Sequence, residues 1–219
     1  MFRQEAQWIR AALADFRAEE LTPLVNIGSS TLAFRRERQP WIEEELFAPL
    51  RARGVDVVHV DVREGEGIDL RADIMTEDGL AKVRVAGARC VLCNNTLEHV
   101  VDPRAFANAC SSVVEPGGLV VITVPNSYPR HRDPIDTMFR PTPEEIAALL
   151  PDHEIAKAAI IPTASYWWHL RQRPWIITRQ LLRLPFPFID FAGWKRSMKK
   201  FYWLVRPYRQ SCVLLRRTV

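Results

Sequence analysis

Along the first two thirds of the chain, apolar positions switch repeatedly between helical and strand spacing, and that alternation predicts an α/β fold. Within Gln4 to Glu20, Trp8, Ile9, Ala12 and Phe16 recur at helical spacing and predict an amphipathic packing helix. Pro23 to Ile27 is a first strand, and it opens into the turn Gly28-Ser29-Ser30-Thr31. Arg35 to Gln39 reads as a polar link. Pro40 to Arg53 reads as a helix with Trp41, Ile42, Leu46, Phe47 and Leu50 as its apolar set, distorted by the interior Pro49 and ended by Gly54. Val55 to Val62 (VDVVHVDV) is the second strand. Arg63 to Gly67 is too short and glycine-rich for a crossover helix, and it leads into Ile68 to Ile74 and then a short helix over Thr76 to Val85.

The most ordered text is Cys90 to Pro125, CVLCNNTLEHVVDPRAFANACSSVVEPGGLVVITVP. A short apolar strand ends at Asn94-Asn95. Asp102-Pro103 starts a helix, with Asp as N-cap and Pro at the first helical position, and the helix runs to about Val114. Pro116-Gly117-Gly118 breaks it, and Leu119 to Val124 is a β-branched run of the kind buried in a parallel sheet. Strand, helix, turn and strand make a βαβ unit. Further on, Thr142-Pro143-Glu144-Glu145 is a capping box before a helix to Leu150, and Ile155 to Ile161 and Tyr208 to Arg217 are the last strands.

At Leu97-Glu98-His99-Val100, Asp102-Pro103, Pro116-Gly117-Gly118, Leu119 to Val124 and Pro125 the chain resembles the class I S-adenosylmethionine (SAM)-dependent methyltransferases, most closely their type 11 group. The resemblance extends more loosely over Pro23 to Leu150 and hardly reaches the last third. It implies a doubly wound, Rossmann-like, seven-stranded sheet with helices on both faces, closed by an antiparallel hairpin, and it implies SAM as cofactor. The family's cofactor loop usually reads as an acid followed by G-x-G-x-G. Here Asn26 stands for the acid, Gly28 survives, Ser30 holds the second glycine position and Leu32 the third. Glycines there allow positive φ and close approach to a ligand, so Ser30 follows only at a conformational cost. The turn is either a serine-lined SAM loop, with Asn26, Gly28, Ser29 and Ser30 at the cofactor, or a plain strand-to-helix turn.

By the same resemblance Asp61 accepts from the ribose hydroxyls, a task that suits an acceptor-only carboxylate, unless it is a solvated residue at a strand end. Asp73 would accept from the adenine amino group with Ile74 against the ring, and Asn94 would contact the cofactor at the carboxyl end of the sheet. An NAD enzyme would want G-x-G-x-x-G and an acid about 20 residues on; the motif is missing and Asp61 follows Gly28 by 33 positions. Some type 11 relatives carry a loop over the active site similar to Pro125 to Arg140. In it His131 is the first candidate base, because histidine titrates near neutrality, and Asp133, Asp136 and Arg140 accompany it. The alternative is that His131, Asp136 and Arg140 simply tie the loop down. Glu98 and His99 either face substrate or a metal, or fix the loop and the helix start.

Composition adds three constraints. At 219 residues, with 47% hydrophobic and 26% charged residues, the chain is ordinary globular protein, and one domain over 1–219 is expected, its core in 21–163 and 207–219. Cys90, Cys93, Cys110 and Cys212 form no disulfide framework, which fits a reduced, cytoplasmic protein. Cys90 and Cys93 mimic a CxxC, but a strand sends positions three apart to opposite faces and no second pair follows, so no metal centre is expected. No apolar run approaches the roughly 18 residues that span a bilayer.

Charge is less ordinary. Tyr166 to Arg209 holds ten Lys or Arg against the single acid Asp190, a local +9 that leaves −5 for the remainder of a +4 chain, and twelve aromatics are interleaved with it. This basic aromatic insertion before the last strand, 164–206, is a cap over the substrate site, or an interfacial segment for anionic lipid at the inner membrane surface. No RNA-binding motif accompanies it, so nucleic acid is the weakest partner. The function expected is SAM-dependent methylation of a small-molecule, sugar or lipid-linked acceptor; the alternative is a degenerate methyltransferase fold acting as a non-catalytic binding or membrane-associated module.

Overall fold

The computed structural model describes residues 1–131, 135–172 and 175–218. Its strands are β1 (Leu24–Ile27), β2 (Val57–Asp61), β3 (Leu70–Arg71), β4 (Ala88–Asn94), β5 (Val114–Ser127), β6 (His153–Pro162) and β7 (Arg209–Arg217), in one sheet ordered β3-β2-β1-β4-β5-β7-β6. The first five are mutually parallel, and β7 runs antiparallel between β5 and β6. The expected closing hairpin is therefore present. Because the chain leaves β1 towards β2 and returns to β4 on its other side, a crevice opens at the carboxyl ends of β1 and β4, where doubly wound sheets bind ligands.

Alternation along the strands assigns the two faces. Cys90, Leu92, Leu119 and Val121 point to one face and pack with Ile9 and Leu13 of α1 (Arg3–Leu13), Leu21 of α2 (Ala18–Leu21) and Leu50 of α3 (Ala48–Ala52). Val91, Cys93, Val120 and Ile122 point to the other and pack with Val83 of α4 (Glu77–Arg84), Phe106 and Cys110 of α5 (Pro103–Val113) and Ile146 of α6 (Pro143–Ala147). Cys90 and Cys93 thus lie on opposite faces, as a strand requires, and all four cysteines are buried and free. Between β6 and β7 the insertion forms α7 (Tyr166–Gln172), α8 (Trp175–Arg183) and α9 (Phe191–Val205).

Several boundaries differ from the sequence pattern for identifiable reasons. The first helix is two, α1 and α2, separated at Ala14 to Arg17. Arg35 to Gln39 is no polar link: Phe34–Arg38 is a wide π-type turn and Arg35 is buried. A second wide turn, Glu43–Phe47, precedes α3, where the Ala48 amide reaches back to the Glu43 carbonyl. Pro49 has no N–H to continue ordinary helical bonding, so the turn before it widens. Pro116-Gly117-Gly118 does not separate helix from strand but lies inside β5, at an irregularity between the Ala88↔Val114 and Cys90↔Leu119 pairs, with Gly117 at φ 81°.

Glu5 ties α1 over the open end of the sheet. Its side chain is fully buried. Oε1 accepts from the Thr123 hydroxyl and from Asn95 Nδ2 (2.6 Å), while Oε2 accepts from the Phe2 amide (3.0 Å) and Gln210 Nε2 (3.4 Å). One carboxylate therefore joins α1 to the residues after β4, to β5 and to β7. Glu5→Ala removes the acceptor shared by all four, leaving Thr123 only Asn94 Oδ1 and Gln210 only Asn95 Oδ1, and is expected to destabilise the fold by about 3 kcal/mol, measured by chemical denaturation; a change below about 0.5 kcal/mol would contradict this role.

Candidate functional site

A cavity of about 1240 Å³ opens at the carboxyl ends of β1, β2, β4 and β5. All eight residues expected at the cofactor line it: Asn26, Gly28, Ser29, Ser30, Asp61, Asp73, Ile74 and Asn94. His131 lines it too, but Asp136 and Arg140 stand behind His131, outside the lining. Asp133 lies outside the described residues.

The turn after β1 has the conformation that glycine normally supplies. Gly28 has φ 71°, and a Cβ there would sit 2.9 Å from the Thr96 hydroxyl, so the backbone needs glycine. Ser30 has φ 56°, the left-handed region, which costs an L-residue roughly 1–2 kcal/mol. Arg35 compensates. This arginine, 1% exposed, donates from Nη1 to the Ser29 carbonyl (3.0 Å) and the Ser30 carbonyl (2.6 Å), and from Nη2 to the Gly67 carbonyl (2.6 Å). Burial lowers its pKa, and the Asp69 and Asp61 carboxylates oppose that shift. Gly67 is constrained by the same contact, since its Cβ would meet Leu32 Cβ at 2.6 Å and Arg35 Nη2 at 2.8 Å. Nothing in local composition distinguishes Arg35 from Arg36 and Arg38 beside it.

Asp61, at the end of β2, is nearly buried. Its Oδ2 accepts from the Ser30 amide (2.7 Å) and its Oδ1 from the Arg63 amide (3.0 Å), so each oxygen keeps a lone pair for a ligand. Asn94 lies with an amide oxygen 3.1 Å from the Thr123 hydroxyl, and its Nδ2 is buried with no protein partner. Whichever way that amide is turned, one polar atom is left for a ligand. Asn26, in the position of the family's acid, donates from Nδ2 to His59 Nδ1 (3.1 Å). Burial, then Arg35 and Arg51, push the His59 pKa down to about 3, so the ring is neutral and accepts. Asp73 Oδ1 accepts from the Met75 amide (2.9 Å), and Ile74 is buried beside it in the core.

The other side of the cavity holds titratable and aromatic groups. Glu98 sits in a single 3-10 turn, Leu97–His99, is 1% exposed and has no partner for Oε2. Burial pushes its carboxyl up to about 8. Burial also lowers the His131 pKa, more than the neighbouring Asp136 raises it. Asp136 Oδ2 accepts from the His131 amide (3.0 Å) and Arg140 Nη2 (2.7 Å), and Oδ1 from the Met138 amide (2.8 Å). These contacts tie the loop down, which is the second of the two roles considered for Asp136 and Arg140. Tyr128 packs on Tyr208 and Phe2, with ring centroids at 4.7 and 5.8 Å. From the insertion, Tyr166, Ile176 and Lys200 complete the wall. Glu5, Arg35 and Tyr128 are the participants that sequence reasoning missed.

The sequence pattern of a family described as a methyltransferase domain matches residues 43–183. The chain belongs to the methyltransferase-domain family. It has the class I fold of the SAM-dependent methyltransferases. It is similar to the ubiquinone biosynthesis O-methyltransferases of Cereibacter sphaeroides (33% identical over 98 residues, 39% of this chain and 38% of that protein) and Pseudomonas entomophila (30% over 96 residues, 39% and 41%). The chain thus spans about two fifths of the length of these curated relatives. Among solved structures, it resembles coclaurine N-methyltransferase bound to N-methylheliamine and SAH (13% identity, TM-score 0.55, 98% of this chain and 72% of that one) and the [4+2]-cyclase SpnF (15%, 0.51, 99% and 82%). At these identities the likeness shows the fold of this methyltransferase-family chain and nothing finer.

The His59 site gives a pH prediction. A histidine whose folded pKa lies below its unfolded value adds stability that is fully present above pH ~6.5 and lost as pH falls towards ~3. His59→Gln keeps a partner for Asn26 without titrating. Its stability between pH 6 and 4 should therefore fall less steeply than the wild type's, by up to about 1.4 kcal/mol per pH unit, measured by urea denaturation at each pH; identical slopes would mean that His59 protonates freely in the fold.

Proposed function

We propose that this chain transfers the methyl group of SAM to a small-molecule acceptor that is lipid-linked or membrane-partitioned. The observation that carries the methyl-transfer reading is Asp61, held at the cavity wall by two backbone amides with lone pairs still free, opposite the unpartnered Asn94 amide and the Cβ-free Gly28 backbone. These groups fit the cofactor. Asp61 would take the ribose hydroxyls, Asp73 and Ile74 the adenine, and Asn94 with the Gly28-Ser29-Ser30 turn the remainder. When bound, SAM supplies an electrophilic methyl carbon on a sulfonium. Arg35 keeps the turn open, α1 and the insertion exclude water, and the acceptor's reacting oxygen would lie against the His99–His131 pair at the cavity wall.

Calorimetric titration with SAM and S-adenosylhomocysteine tests this. Binding of both is expected, and Asp61→Ala should weaken it by at least tenfold, about 1.4 kcal/mol. No binding by either at millimolar ligand would leave the non-catalytic module as the function. The curated relatives are ubiquinone biosynthesis O-methyltransferases by name, which supports an O-methylated, apolar acceptor.

The lipid-facing part of the proposal is supported by the outer surface of the insertion. Leu182 (66% exposed), Phe188 (77%) and Ile189 (75%) stand in solvent with Trp175, Leu181 and Phe191, among Arg171, Arg179, Lys195 and Lys199. Exposed aromatics and aliphatics mixed with cations match an anionic bilayer surface, where apolar burial and charge attraction add. Tyr166, Ile176 and Lys200 meanwhile face the cavity, so the insertion serves as cap inside and as interfacial surface outside. Among the described residues no helix is long and apolar enough to cross a membrane. The protein should float with phosphatidylglycerol-containing vesicles and lose that association in Leu182→Glu/Phe188→Glu. A protein that stays at the bottom at low salt, or that self-associates through this surface and ignores vesicles, would overturn the lipid assignment.

A further inference from the structure

Two imidazoles meet at the acceptor side of the cavity, with their Nε2 atoms 3.3 Å apart. His99 Nδ1 contacts the Ile135 carbonyl, which can only accept, so Nδ1 carries the proton and Nε2 presents its lone pair. His131 Nδ1 lies 3.1 Å from Asp136 Oδ2, off line for a good hydrogen bond. That carboxylate is also bound by Arg140, which keeps it charged and favours the proton on the facing His131 Nδ1. The two Nε2 atoms point at one another 3.3 Å apart, and with both protons on Nδ1 they would present two lone pairs to one point. Glu98 Oε1 is 3.7 Å from His99 Nε2, and Glu98 Oε2 has no partner. One ligand atom from each of Glu98, His99 and His131 lies within 4.8 Å of the others.

We propose that Glu98, His99 and His131 bind a divalent first-row cation such as Zn²⁺ at the acceptor side of the cavity. Two nitrogens bonded to zinc at about 2.0–2.1 Å with tetrahedral angles sit roughly 3.3 Å from each other, which is the separation found. Each histidine holds its second nitrogen against an oxygen, Ile135 O or Asp136 Oδ2, the outer contacts that orient metal-bound imidazoles. Two imidazoles and one carboxylate suit Zn²⁺, Co²⁺, Fe²⁺ or Mn²⁺ and leave positions open. The ligands come from two separate stretches, the turn after β4 and the loop after β5, so the ion would also fix that loop over the cavity. This departs from the sequence-based expectation of no metal, which weighed a cysteine pair and could not see that Glu98-His99 meets His131.

The consequence for the reaction rests on the proposed methyl transfer, although the binding does not. A hydroxyl of the acceptor would coordinate in an open position and give its proton to solvent, the oxygen keeping the electron pair with which it would form the new O–CH₃ bond while the S–CH₃ bond of the sulfonium breaks, its electron pair staying on sulfur as S-adenosylhomocysteine leaves. The class of acceptor implied is a molecule with a metal-binding hydroxyl, and the histidine pair acts through the ion.

The test is titration of chelator-treated full-length protein with Co²⁺. One ion per chain is expected, with visible d–d bands of nitrogen and oxygen ligation, no thiolate charge-transfer band, and displacement by Zn²⁺. His131→Ala and Glu98→Gln should each weaken Co²⁺ binding at least tenfold, Asp136→Asn by about 10–100-fold, and His153→Ala, a histidine elsewhere, not at all. Should the buried Glu98→Gln fail to fold, His131→Ala on the loop serves in its place. Absence of the bands at millimolar Co²⁺, or equal binding by His131→Ala, overturns the site and leaves a proton shared between the two rings. Calorimetry with SAM separates the two proposals: Co²⁺ binding without SAM binding sinks methyl transfer and keeps the ion.

Discussion

The open shape of the cofactor side depends on one buried guanidinium. Arg35 holds the carbonyls of Ser29, Ser30 and Gly67 at 2.6 to 3.0 Å, joining the turn after β1 to the segment between β2 and β3. A turn with serine at φ 56° is disfavoured in isolation by roughly 1–2 kcal/mol. Charge-assisted hydrogen bonds of about 1.5–3 kcal/mol each offset that cost. The Ser30 amide thereby reaches Asp61, and Asp61 is oriented at the cavity wall. A glycine-poor loop can thus keep the path of a glycine-rich one when a long cation, supplied from the next helical turn, takes over the conformational work. The requirement for Gly67 follows from the same arrangement, because the guanidinium occupies the space a side chain would need.

A second buried charge closes the other end. Glu5 gathers donors from Asn95, Thr123 and Gln210, residues that no local pattern relates to it. Because Thr123 also lies beside Asn94, the network that seats α1 shares a hydroxyl with the candidate cofactor amide. Movement of α1 would change the polarity offered at Asn94, so the packing of the N-terminal helix and the chemistry of the cavity are coupled through one threonine.

What the sequence made legible follows from distance along the chain. The alternation of strands and helices rests on local periodicity, which survives folding unchanged, whereas the sheet arrangement and the eight expected cofactor positions, all on the cavity lining, were implied by the resemblance that the short motifs carry. Pro49 and the Pro116-Gly117-Gly118 stretch show the limit of such reading: each was recognisable as a disturbance, but whether it became a widened turn or an irregularity within β5 depended on the neighbours. Arg35, Glu5 and the His99–His131 encounter were hidden for a different reason. A buried charge looks like a surface charge until its partners are known, and these partners are 3 to 205 positions away. Glu98 and His99 were visible as candidates only, since the third member of their cluster comes from the loop after β5.

The fold itself leaves the reaction open, as the likeness to both an N-methyltransferase and a [4+2]-cyclase makes plain. Discrimination has to come from the acceptor side, where this chain departs most from a bare sheet. There the His99 and His131 imidazoles and the buried Glu98 carboxyl line the cavity beside Tyr128, which packs on Tyr208. The acceptor proposed above, largely apolar with a polar atom to anchor, would suit such a wall and would dissolve better in a bilayer than in water. The exposed apolar row on the insertion, with its concentrated positive charge, is then the counterpart of that preference. The same helices that wall the cavity carry the exposed apolar and basic surface, so under the proposed function their two faces would bear on one partition problem.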